Sequence, residues 1–114
     1  MNQFIKNFPH QQVTTFNDEI QIQKGQIVSK TLSQNSAVSI TLFAFDKGEE
    51  IGTHESIGDA LVNVIEGTGK FIVDEQEYIL NSGNCLVMPA NKPHSVYAQE
   101  AFKMMLTVVF PLNK

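Results

Sequence analysis

Two of the chain's three histidines stand at fixed distances from turn glycines: Gly48 to His54 to Gly67, then Gly83 through Pro89 to His94. Each glycine follows an alternating apolar run, and each histidine stands near the start of the next strand, about where a small β-barrel has its mouth. Imidazoles that converge on one hollow can hold a divalent metal, or one of them can act as a general base near neutral pH. The spacing thus lets two imidazoles, those of His54 and His94, converge on one cavity. The third histidine, in Pro9-His10-Gln11, is read as solvated.

The elements that must position this pair are strands. Alternation recurs at Glu19–Gln23, Gln26–Ser33, Val38–Asp46, Ala60–Glu66, Lys70–Val73, Glu77–Leu80, Cys85–Met88, His94–Ala98 and Phe102–Phe110, with turn residues such as Lys24-Gly25 and Gly67-Thr68-Gly69 between the runs. Many short strands with such turns imply an all-β sandwich or barrel. Val38–Phe45 and Phe102–Phe110 carry apolar residues on both alternating sets, so both strands are expected to be buried on two sides, with a second subunit covering the outer face. No linker or repeat interrupts the pattern. Residues 1–12 read as an N-terminal arm and 13–114 as one barrel domain.

Composition narrows the functions. Twelve acids against eight bases give a net charge of −4, with no basic run to follow phosphates, so nucleic acid is not expected as a partner. Every base is lysine, so no guanidinium fork is present to grip a phosphate or carboxylate. The single cysteine, Cys85, excludes an internal disulfide and fits a reducing, cytoplasmic setting. No signal peptide and no apolar run long enough to span a membrane is read. If Pro89–Pro93 closes a hairpin, Met88 faces His94, Leu86 shares that side, and Cys85 points away as a small packing residue.

The glycine, proline and histidine spacings resemble the two motifs of the cupin superfamily. In the first motif Gly48, His54 and Gly67 match, Ser56 stands at the place of a second histidine, and Ala60 at that of a glutamate. In the second, Gly83, Pro89 and His94 match, while Asn91 and Ala98 take the places of a glycine and an asparagine. The short segment between the motifs, Thr68–Ser82, is similar to that of small single-domain prokaryotic cupins. The resemblance implies a cupin double-stranded β-helix, a jelly-roll-like β-barrel, with N-terminal strands that can contribute to a homodimer.

It also implies His54 and His94 as ligands of a weak or incomplete site for zinc, manganese, nickel or iron, since Ala60 donates nothing. Ala60 facing the cavity puts Val62 and Val64 on the same wall, and with Ser56, Met88 and Val96 they form the expected ligand pocket. Glu55 and Asp59 could serve as donors only if the backbone were irregular near Ser56–Gly58. Two functions follow: binding of a small, largely uncharged molecule in the barrel, or a metal-dependent enzyme of the dioxygenase, decarboxylase or isomerase type. A third, a purely structural interaction protein, is disfavoured by the retained histidines.

Overall fold

The computed structural model describes residues 4–112. Among the described residues nine strands form: β1 (Ile27–Gln34), β2 (Val38–Phe45), β3 (Glu50–His54), β4 (Asp59–Glu66), β5 (Thr68–Val73), β6 (Gln76–Asn81), β7 (Cys85–Met88), β8 (His94–Ala98) and β9 (Phe102–Val109). They make a five-stranded sheet of order β1-β2-β9-β4-β7 and a four-stranded sheet of order β3-β8-β5-β6. All pairings are antiparallel.

The core lies between the sheets because alternate residues of each strand point inward. The five-stranded sheet sends in Phe45, Ala60, Val62, Val64, Met88, Phe102 and Met104, and the other sheet meets them with Phe71, Val73, Leu80, Val96 and Ala98. Phe102 stacks on Phe45 at 4.7 Å between ring centroids and meets Phe71 edge-on at 6.0 Å. All three rings are fully buried, each contributing about 1.5–3 kcal/mol by leaving water. Gly67, with φ of +85°, lets the β4–β5 turn pass against β9: a Cβ there would lie 2.1 Å from the Ala101 carbonyl oxygen.

A second apolar cluster lies outside the barrel. Ile20, Leu32, Leu42 and Ala44 are buried together, with Phe8 and Ile22 packed against them. The outer face of β2, expected to need a second subunit, is therefore covered in part by the chain's own N-terminal segment. That segment is pinned by hydrogen bonds: Lys6 N–H donates to the Leu32 carbonyl, Asn7 Nδ2 to the Thr31 carbonyl, and the Ser33 hydroxyl to the Phe4 carbonyl. Lys30 Nζ reaches the Glu19 carbonyl at 2.8 Å, and buried Lys103 reaches that of Asn17 at 2.7 Å.

Four expectations need correction. Glu19–Gln23 is not a strand. A 3₁₀ turn at Phe16–Glu19, capped by Thr15 accepting from Asp18 N–H, precedes extended chain that buries Ile20 and half-buries Ile22. The alternation there reports burial, not pairing. Glu50–His54 is a strand although Ile51 is its only large apolar residue. Pro89–Pro93 does not close a hairpin: β7 and β8 belong to different sheets, so Met88 pairs with Ala60, and His94 pairs with His54 and Val73. Cys85 does point away from the core, but its thiol is exposed and free, near Asn63 Oδ1 at 3.5 Å, rather than packed. Among the described residues, no helix is long and apolar enough to cross a membrane.

Candidate metal and ligand site

β3 and β8 position the histidines. From Glu50↔Tyr97 and Ile51↔Val96 the register slips at Gly52-Thr53, and the slip sets His54 directly opposite His94. Residues opposite one another in an antiparallel pair project to the same side. The rings meet edge to face, with centroids 4.2 Å apart and planes at 66°. His94 is buried at 4% exposure, whereas His54 is exposed.

Each ring is fixed by a backbone carbonyl two residues before it. His54 Nδ1 lies 2.9 Å from the Gly52 oxygen, and His94 Nδ1 lies 3.1 Å from the Lys92 oxygen. A carbonyl only accepts, so Nδ1 carries the proton in both rings and Nε2 presents its lone pair. Among the described residues neither Nε2 has a hydrogen-bond partner. Burial pushes the His94 pKa below its ordinary value of 6.5; the bond to the Lys92 carbonyl opposes this, neighbouring His54 adds to it, and the Glu55 carboxylate opposes it. At neutral pH the buried ring is therefore a neutral donor of a lone pair.

A zinc site uses three or four protein donors. Among the described residues no group of three or more His, Cys, Asp or Glu is placed to hold an ion. Two imidazoles are the donors present, half of a tetrahedral shell, so water or a ligand would have to supply the remaining positions of any ion held there. Asp59 does not contribute: its Oδ1 accepts the Ala90 N–H at 2.8 Å and braces the loop before β8. Asn91, on that loop, takes φ of +64° and donates its N–H to the Ser56 carbonyl at 2.7 Å, so asparagine serves at a position where the family motif has glycine.

The other residues singled out in the sequence fall in two places. Ala60, Val62, Val64, Met88 and Val96 are all buried, between 0 and 3% exposed, and belong to one interior cluster. Ser56 stands apart, with its hydroxyl accepting the Gly58 N–H at 3.2 Å in a local turn. His10 is exposed, and its Nε2 is 2.7 Å from the Ile5 carbonyl. Glu55 could serve as a donor only with an irregular backbone near Ser56–Gly58. It follows the end of β3, outside the regular pleat, and its charge reaches His94.

A family model described as a cupin domain matches residues 41–110, and the chain belongs to that family. Among solved structures it is similar to a conserved protein of unknown function from Streptococcus pyogenes, at 42% identity over 96% of both chains with a TM-score of 0.95. A cupin superfamily protein from Desulfitobacterium hafniense is 29% identical over 94% of this chain and 98% of the other, with a TM-score of 0.90. A cupin 2 conserved barrel domain protein from Leptotrichia buccalis is 43% identical over 81% of this chain and 45% of its own, with a TM-score of 0.80. A search of the curated proteins found no match.

Proposed function

We propose that the chain is a small-molecule-binding cupin whose polar anchor is the His54–His94 pair at the barrel mouth. The observation that carries this reading is the commitment of both Nδ1 atoms to backbone carbonyls in two rings that touch edge to face, which leaves the Nε2 atoms for a ligand. Below them the interior is filled by Val62, Val64, Met88 and Val96, so the ligand rests at the mouth, over Ala60. A divalent ion, zinc, manganese, nickel or iron, binds Nε2 of both rings weakly, and a ligand with its own donors strengthens it. The exposed free thiol of Cys85 supports a reducing, cytoplasmic setting.

Calorimetric titration of chelator-treated protein with zinc or nickel tests the reading. One weakly held ion per chain, abolished in the His54→Ala/His94→Ala variant, is expected. Equal behaviour of wild type and variant would remove the pair as an anchor. A stoichiometric ion that survives chelator would instead favour the metal-dependent enzyme.

We also propose a homodimer. Support comes from a row on the outer face of the five-stranded sheet, half-buried Ile40 and Thr107 followed by exposed Leu61 and Val87, which the register aligns across β2, β9, β4 and β7. Leu61 is 41% and Val87 51% exposed, and the row bears no charge, so two copies meet there without repulsion. Light scattering should show a dimer that Leu61→Asp dissociates. A monomeric wild type would refute the assembly.

A further inference from the structure

β6 ends one sheet and β7 ends the other, so the barrel wall has a seam between them. The pairing of β6 with β5 puts Tyr78 opposite buried Phe71, on the interior face, yet Tyr78 is 38% exposed. Leu86 faces inward opposite Val62 and is only half-buried. Inward-facing side chains that still meet solvent mean that the seam is open at this point. The opening is a groove of about 330 Å³ with Val73, Tyr78, Leu86 and Pro89 on its walls. That size is at the lower end of ligand pockets.

Opposite charges stand at its rim. Lys92 Nζ and Asp74 Oδ2, both lining the groove, are 3.7 Å apart, with their side chains more than half exposed. Such a pair is weak in water and exchanges partners at little cost. A lone carboxylate beside Lys92 would be repelled by Asp74, and a lone amine by Lys92. A zwitterion avoids both conflicts. The ammonium and carboxylate of an α-amino acid share one carbon, so they can face Asp74 and Lys92 together while the side chain enters the apolar groove.

We infer that the β6–β7 seam is a second binding site, for an α-amino acid with an apolar side chain. Its carboxylate meets Lys92, its ammonium meets Asp74, and its side chain contacts Val73, Tyr78 and Leu86. The site is separate from the histidine pair, although the Lys92 carbonyl that holds His94 lies on the same loop.

Amide NMR titrations of the full chain with L-leucine and L-phenylalanine test this, with isocaproate and isoamylamine as analogues carrying one charge each. At millimolar amino acid, the signals of Val73, Asp74, Leu86 and Lys92 should shift. Isocaproate and isoamylamine should each bind about fivefold more weakly than L-leucine, the scale of one exposed charge contact. Asp74→Asn should erase the preference over isocaproate, and Lys92→Gln that over isoamylamine. Asparagine tolerates the positive φ of residue 74, and both side chains are on the surface, so neither change threatens the fold. Equal binding of all the probes, or no shift at these residues with either amino acid, would overturn the assignment. The His54→Ala/His94→Ala variant should keep amino-acid binding, so loss of the metal titration and loss of this site are read separately.

Discussion

At the Phe102 end of the barrel, ring packs on ring and the β4–β5 turn is pressed onto β9, whereas at the His94 end the register gathers Ala60, Val73, Met88 and two imidazoles. One end spends its large side chains on excluding water. The other has no such ring stacking and sets two imidazoles edge to face, His94 buried and His54 exposed. The sheets are continuous between the two ends, so the aromatic end can hold the strand register on which the histidine contact depends. The mouth can then carry polar groups that add nothing to stability.

Replacing Phe102 with alanine should give the largest effect, a loss of about 3–5 kcal/mol, because the cavity opens between two rings already fixed by Phe45 and Phe71. Denaturant unfolding measures it. His54→Ala, at an exposed ring, should fall within about 0.5 kcal/mol of wild type. Similar losses from both changes would mean that the mouth, too, is part of the stabilising core.

The next effect concerns binding. The cupin motif carries a second histidine where this chain has Ser56, whose hydroxyl serves only a local turn among the described residues. Ser56→His offers a third imidazole to the pair. Structural zinc sites with four ligands bind with about 10–16 kcal/mol, roughly 3 kcal/mol per ligand, so zinc affinity should rise on the order of a hundredfold. Competition against a zinc chelator reads this directly. An unchanged affinity would mean that residue 56 does not reach the pair, or that the pair does not hold the ion.

How far the residues alone foretold these two ends follows from what each depends on. The all-β architecture and the strands β2, β4 and β9 were legible because these strands are long enough for period-two alternation to stand out. β3 was not, since a strand of five residues with a glycine and one large apolar side chain carries no such signal. The loop from Met88 to His94 reads like a hairpin because a short connection looks the same whether it turns back within a sheet or crosses to the next. The two histidines could be picked out by their spacing from glycines. Their direct opposition could not, because it rests on the slip at Gly52-Thr53, which no residue type announces. The covering of β2 by Phe8, Ile20 and Ile22 is a long-range contact of the same kind, visible only once the chain is folded.

The smallest effect is the most specific to the mouth. Folding holds His94 below its ordinary pKa of 6.5, first through burial. Between its folded pKa and about 6.5 the unfolded chain therefore binds more protons than the native one, and stability falls as pH is lowered through that window. Above it, the contribution is fully present. Glu19 and Asp46 are shifted in the same direction, below 4.5 and 3.8, Glu19 chiefly by the Thr14 hydroxyl and Asp46 by the Gly25 N–H, so their losses also come as pH falls but set in at lower pH. The two windows can be resolved by unfolding at stepped pH. The histidine window should narrow in His54→Ala, where the ring is freed of its neighbour's charge, and widen in Glu55→Gln, where a stabilising carboxylate is lost. Imidazole NMR titration should show the His94 pKa rising in the first variant and falling in the second. If neither moves it, the charge of neither neighbour reaches the buried ring, and burial with the Lys92 carbonyl alone sets its protonation.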